Sequence, residues 1–231
     1  AHLWAEARDY EVEGWTGNDV YDLEEVPIDM KMLTLRWVLT FKTDVDGRLE
    51  RARARLVLRG FMQEEGIHYS ETYSPTLPYW CLRFVVFCAS FSGAIIDILD
   101  VSTAFLEAML KESIYCTLPP EWPLPDWVKK KVADGKRMGL RLKKTAYGLK
   151  QSPREWFDLL CSFLIEYGLK QSEYEPCVFT LEEDGYVVLM VGAYVDDLTM
   201  LSWDQKIRDD FKTAFKARFR VRETGCLEKD D

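Results

Sequence analysis

The sequence predicts an α+β fold in which helices pack on one face of an antiparallel sheet. Three observations predict it. Amphipathic helical stretches and short β-prone runs alternate irregularly along the chain; no internal repeat or linker divides its 231 residues; and 48% hydrophobic and 13% aromatic residues suffice for a sizeable core.

Taken in order, residues 3–12 can form a helix, and a polar stretch leads to Leu23-Glu24-Glu25-Val26-Pro27. Residues 35–42 alternate as a strand does, Asp44-Val45-Asp46-Gly47 is a turn, and residues 53–61 return as the partner strand of a basic hairpin. Residues 82–92 are apolar enough for a buried helix. Residues 94–99, rich in isoleucine and short, suit a central strand that ends on Asp100. The run Thr103-Ala104-Phe105-Leu106-Glu107-Ala108-Met109-Leu110 has helical character. Asp100 would then sit where a strand meets a helix N-terminus, whose outward N–H groups favour an anion such as a triphosphate. A loop rich in Pro and Trp (119–127) precedes a basic segment, and residues 153–168 form an amphipathic helix. Strands 178–181 and 186–195 flank the turn Glu182-Glu183-Asp184-Gly185, and residues 205–219 form the last amphipathic helix.

The most informative stretch is Met190-Val191-Gly192-Ala193-Tyr194-Val195-Asp196-Asp197-Leu198-Thr199-Met200, a hairpin with two acids at its tip. Adjacent negative charges at the end of an apolar strand are costly unless cations neutralise them. The other Asp-Asp pairs, Asp209-Asp210 and Asp230-Asp231, lie in charged helical or terminal surroundings and read as solvated surface. If strand 94–99 and hairpin 187–202 share a sheet, Asp100, Asp196 and Asp197 converge. Three acids with only two histidines in the chain suit hard cations, Mg²⁺ or equally Mn²⁺. Two such ions roughly 3.5 to 4 Å apart activate a 3′-hydroxyl and stabilise a leaving pyrophosphate. Glycosidase carboxylates stand apart across a sugar rather than adjacent in sequence. A histidine triad would depend on His2 or His68, and no P-loop signature is present.

Charge is unevenly distributed. Residues 1–30 hold nine acids and one base, a net of −8 out of the chain's −9, so the remainder carries only −1. Basic residues gather at 48–59, 129–150 and 206–222, compatible with phosphate contacts and equally with solvated faces. Six cysteines without a CxxC pair argue against structural zinc and for free thiols in a reducing compartment. The longest apolar stretch, 84–99, is too short and interrupted to span a bilayer, and no signal peptide opens the chain. An intracellular, cytoplasmic protein without membrane partners is expected.

These residues as a set resemble the reverse transcriptase domain of Ty1/copia-type retrotransposons, over almost the whole chain. The carrying motifs are Trp37-Val38, Asp44-Val45-Asp46-Gly47, Ala54-Arg55-Leu56-Val57-Leu58-Arg59-Gly60-Phe61-Met62-Gln63, Gly66-Ile67-His68-Tyr69 and Glu71-Thr72-Tyr73-Ser74-Pro75. They continue with Leu99-Asp100-Val101-Ser102-Thr103-Ala104-Phe105-Leu106, Tyr147-Gly148-Leu149-Lys150-Gln151-Ser152-Pro153-Arg154-Glu155-Trp156 and Tyr194-Val195-Asp196-Asp197.

The resemblance implies a right-hand polymerase, with residues 1–93 mostly fingers and 94–231 mostly palm, 106–146 returning to the fingers. It implies an RNA-directed DNA polymerase in which Asp100 and Asp196 hold two Mg²⁺ ions and Asp197 completes the triad. Phe105 matches an aromatic gate against a 2′-hydroxyl, although its spacing serves a core aromatic equally well. Backbone amides near Thr103 and Ala104 would cradle the triphosphate, which either Arg53 or Arg55 would grip. Tyr147 would line the nucleotide pocket, and Lys150, Gln151 and Arg154 would meet template and primer. Implied partners are a primed RNA or DNA template, dNTPs and the remaining polyprotein, in the cytoplasm or a virus-like particle.

Asp97-Ile98-Leu99 and Ala108 depart from the family pattern, which often has a polar residue before the first aspartate motif and usually glycine near 108. Residues 219–225 resemble the last palm segment. Thumb, connection, RNase H, integrase and protease signatures are missing, so a polyprotein fragment is expected. The rival reading is an inactive relic or co-opted palm domain that binds nucleic acid or a protein without catalysis.

Overall fold

The computed structural model describes residues 2–44 and 46–227. Along the chain run α1 (His2–Gly17), β1 (Tyr21–Glu25), β2 (Met32–Leu33), β3 (Leu35–Thr43), β4 (Leu49–Leu58), α2 (Tyr79–Ser92), β5 (Ile95–Val101), β6 (Met109–Thr117) and α3 (Asp126–Ala133). There follow β7 (Met138–Lys144), α4 (Ser152–Tyr167), β8 (Lys170–Gln171), β9 (Val178–Glu183), β10 (Tyr186–Tyr194), β11 (Asp197–Ser202), α5 (Gln205–Arg218) and β12 (Val221–Leu227). Short 3₁₀ turns occupy Gly60–Met62 and Ala104–Leu106. The expected turn at 44–47 includes Val45, which lies outside the described residues, as does the pair Asp230-Asp231.

The chain divides into two compact units: Ala1–Tyr73 with Phe105–Trp156, and Ser74–Ala104 with Phe157–Asp231. The first holds a four-stranded sheet in the order β1-β7-β6-β2 and the hairpin β3-β4. Its core gathers Trp15, Leu33, Leu56, Leu106, Ile114 and Leu140, all fully buried. The acidic N-terminal stretch is integral to this unit. Asp22 and Glu24 lie on β1, which pairs antiparallel with the basic strand β7. Lys143 binds Asp19 and Asp22, Arg141 faces Glu24, and Lys136 faces Glu25. Arg137 donates to the carbonyls of Pro27 and Met30. Much of the second basic group is therefore matched by the N-terminal acids within the fold.

Helix α1 docks on β4 through Glu11. Its buried Oε1 accepts from the Leu56 backbone N–H at 3.0 Å and from Trp15 Nε1 at 3.1 Å. Burial pushes this carboxyl above its ordinary value, and those two hydrogen bonds partly offset the rise. Glu11→Ala leaves two buried donors without this acceptor, so a loss of about 2–6 kcal/mol is expected in urea unfolding, at roughly 1–3 kcal/mol per orphaned group. Glu11→Gln, which keeps one acceptor oxygen, should lose less.

The second unit is built on a six-stranded sheet, β12-β5-β11-β10-β9-β8, in which every pairing is antiparallel. Strand alternation sorts its residues onto two faces. Asp97 is bound by Arg208 and Lys212 of α5. The next residue toward the N-terminus, Ile96, and its partner Leu201 pack instead against Val85 and Ala89 of α2. Helices therefore lie on both faces, which corrects the expectation of helices on one. Residues 82–92, long and apolar, identify α2 as a helix but not the face it covers.

Residues 103–110 do not form the expected helix either. The helical turn stops after Ala104–Leu106, and β6 begins at Met109. Thr103 adopts φ 65°, outside the helical range. Thr145 then captures the carbonyls a helix would use: its Oγ1 donates to Phe105 O at 2.8 Å and its N–H to Ala108 O at 2.8 Å. Pairing of β6 with β7 outweighs the helix propensity of the Ala-Phe-Leu-Glu-Ala-Met-Leu run. Asp100 is therefore followed by a 3₁₀ turn and a strand, not by an α-helix. It is the penultimate residue of β5.

Candidate active site

Backbone register brings the carboxylates together. In the β10–β11 hairpin Tyr194 pairs with Asp197, so Val195 and Asp196 form a two-residue turn. Val195 takes φ 55°, at the first central position where a type II′ turn normally carries glycine. A β-branched residue there costs on the order of 1–3 kcal/mol and persists only where the surroundings hold it. The holding contact includes a hydrogen bond from the Val101 N–H to Asp196 O at 2.8 Å, which ties the hairpin tip to β5. On the sheet, Asp100 pairs directly with Asp197 on one side and with Arg222 of β12 on the other.

Residues paired across antiparallel strands share a face, so Asp197, Asp100 and Arg222 stand in one row with Asp196 at the adjoining turn. The acids sense one another. Burial, then the negative charges of Asp196 and Asp100, hold the Asp197 carboxyl above its ordinary range. Among the described residues no group of three or more His, Cys, Asp and Glu side chains forms a ready-made metal cage. Arg222 was seen in the sequence only as one of a basic group; its place beside Asp100 depends on the β12–β5 register, which a single strand does not encode.

The other candidates lie mainly in the first unit. Arg53 and Arg55 alternate on β4 and share a face with Arg51, Lys42 and Arg36. The Arg55 guanidinium lies 5.2 Å over the Tyr147 ring, and Phe105 meets that ring edge-on at 5.6 Å. Arg55, Tyr147 and Phe105 thus form one cluster, the guanidinium over the Tyr147 ring and Phe105 against it edge to face. Lys150 donates to the Tyr69 hydroxyl at 3.0 Å and sits 4.5 Å over its ring. Gln151 is buried: its Nε2 donates to His68 O at 2.8 Å, and its Oε1 accepts from Gln63 Nε2 at 2.9 Å. Arg154 pairs with Glu71 at 3.2 Å and donates to Tyr73 O. In the second unit, Thr103 donates to Ser102 O and Ala104 is buried.

Two glycines set the segment that carries Tyr147. A Cβ on Gly148 would stand 2.1 Å from Leu58 O, and one on Gly60 would stand 2.0 Å from Gly148 O. Gly148 also needs φ +94°. Gly148→Ala must displace the Leu58 carbonyl and hold a left-handed φ, so a loss of more than about 3 kcal/mol, or failure to fold, is expected in denaturant titration.

An antiparallel sheet with helices on both faces and a carboxylate-bearing hairpin at one end of a face defines an α+β protein. The family model described as reverse transcriptase (RNA-dependent DNA polymerase) matches residues 18–229, and the chain belongs to that family. It is 32% identical over 221 residues to the Retrovirus-related Pol polyprotein from transposon TNT 1-94 of Nicotiana tabacum, covering 95% of this chain and 16% of that protein. It is 33% identical over 224 residues to the polyprotein from transposon RE2 of Arabidopsis thaliana, covering 95% and 15%. The Transposon Ty1-LR2 Gag-Pol polyprotein of Saccharomyces cerevisiae is 28% identical over 218 residues, covering 94% and 11%. The chain thus spans about a sixth or less of these relatives. A Candida albicans telomerase, solved with a TWJ fragment of telomeric RNA, aligns over 100% of this chain and 46% of its own at 10% identity. Its TM-score of 0.46 is too low to carry a fold assignment.

Proposed function

We propose that this chain is the polymerase core of a copia-type retrotransposon polyprotein, joining deoxynucleotides to a primer 3′-end on an RNA template. The observation that carries the reading is the register that sets Asp100 opposite Asp197 with Asp196 at the adjoining turn. Family membership supplies the reaction class. The residues fit a divalent cation: they are hard oxygen donors, and their mutual repulsion, felt at Asp197, is what a cation would relieve. Asp100 and Asp196 would hold two Mg²⁺ ions, with Asp197 completing the set. When bound, such ions lower the pKa of the attacking hydroxyl and stabilise charge on the leaving pyrophosphate.

The first unit reads as fingers and the second as palm. Arg53 or Arg55 grips the triphosphate, and Arg55 is already oriented by its stack on Tyr147. Phe105, braced edge-on by Tyr147, presents a ring that excludes a 2′-hydroxyl. Thr103 and Ala104 offer backbone amides from the turn after β5. Lys150 and Arg154 meet template or primer phosphates by exchanging their present partners, Tyr69 and Glu71. Gln151, buried against His68 and Gln63, positions this segment from within. The work takes place inside the cell, in the cytoplasm or a virus-like particle, with the rest of the polyprotein as partner.

The test is primer extension on an RNA template with dNTPs and Mg²⁺. Cation-dependent extension is expected. A folded chain that binds primed template yet never extends it would support a domain that binds without catalysis.

A further inference from the structure

The outer side of α2 carries Trp80, Phe84, Phe87 and Phe91, which are 65%, 55%, 56% and 78% exposed. Steps of four, three and four residues put all four on one helical stripe. Phe87 and Phe91 touch at 4.6 Å, and the helix's one charged residue, Arg83, lies over the ring of Tyr79. The opposite side, Cys81, Val85 and Ala89, is buried. Isolated apolar residues on a surface are ordinary, but a continuous aromatic stripe of this kind marks an interaction site.

We propose that this stripe pairs with the same stripe of a second copy of the chain, the two α2 helices running antiparallel about a two-fold axis through their midpoints. The spacing itself argues for this occupant. Because 4-3-4 reads the same in both directions, an antiparallel copy sets Phe84 against Phe87 of the other chain and Trp80 against Phe91. Every ring meets a ring, as an isologous interface requires. The area is adequate too. Taking about 200 Å² for a whole aromatic side chain, the exposed parts of the four rings come to roughly 500 Å² per copy. Counted on both copies, the rings reach the roughly 1,000 Å² total that a specific interface needs.

Sedimentation equilibrium of the full chain tests this. A reversible dimer with a dissociation constant of about 1–10 µM is expected. Phe84→Glu/Phe87→Glu, which puts like charges against each other across the axis, should weaken it at least about 100-fold. Phe84→Lys/Phe87→Glu sets opposite charges across the same axis and should recover much of the loss, a rescue that a general effect on folding would not give. Circular dichroism and thermal melting check that both variants fold. A chain that stays monomeric at about 50 µM, well above that constant, overturns the proposal and leaves the stripe to another part of the polyprotein. A dimer indifferent to both variants also overturns it.

Discussion

Asp196→Asn is expected to reduce nucleotide incorporation by at least about 10²- to 10³-fold, the effect of removing one preorganised charge-stabilising group from a transition state. The fold should survive, because what pins the hairpin tip is the Asp196 backbone carbonyl bonded to the Val101 N–H, and the substitution leaves it in place. Stability should in fact rise slightly. Burial together with the charges of Asp196 and Asp100 holds Asp197 above its ordinary value, so at neutral pH the folded state carries an electrostatic penalty that protonation relieves. Removing one of those charges should raise the melting temperature by roughly 1–3 °C. Activity falling while stability rises separates a functional carboxylate from a structural one.

The second large effect is expected at Asp97, which belongs to the same strand as Asp100 but faces the other side of the sheet. Only 1% exposed, Asp97 receives Arg208 through two bonds, of 2.6 and 2.8 Å, and Lys212 at 3.1 Å. Lys212 also reaches Glu223 of β12, which Lys216 joins. The cluster ties α5 to the sheet across two strands. Asp97→Ala leaves Arg208 and Lys212 largely buried without this carboxylate, so a loss of about 3–5 kcal/mol is expected. In a chain of this size that is a fall in melting temperature of roughly 10 °C.

The cluster also predicts how stability depends on acid. Burial alone would raise the Asp97 carboxyl, but the hydrogen bonds and charges of Arg208 and Lys212 outweigh it and hold the group below its ordinary 3.8. A depressed carboxylate contributes stability that is complete above the unfolded-state value and is lost as pH falls through the lower folded value. Glu223 is depressed in the same sense by Lys212 and Lys216. Stability should therefore hold from neutral pH to about 5 and fall steeply below about 4. Asp97→Asn should flatten that acid limb, measured by urea unfolding across the pH series.

Much of this was legible in the sequence where one strand or helix reports its own period. The hairpin β10–β11, the central strand β5, the basic hairpin β3–β4 and helices α4 and α5 stand close to where their apolar patterns put them. What escaped was set by partners distant in sequence. Ala104 to Leu110 is a good helical sequence defeated by Thr145 and β7, some forty residues away. The acidic N-terminal stretch has no derivable purpose until β7 is seen beside it. The role of Asp97 emerges only with α5 in place. At the candidate site the three aspartates could be nominated from chemistry. The row that adds Arg222, and the stack that orients Arg55, depend on registers between strands.

Strand register sets Asp100 opposite Asp197 with Asp196 at the adjoining turn, and the proposed function requires that set to hold a divalent cation. Mn²⁺ binding followed by electron paramagnetic resonance tests it most directly, with the wild-type chain beside Asp100→Asn and Asp196→Asn. Saturable binding that weakens markedly in each variant is predicted. Equal binding by all three proteins, or none by a folded wild-type chain, would contradict it.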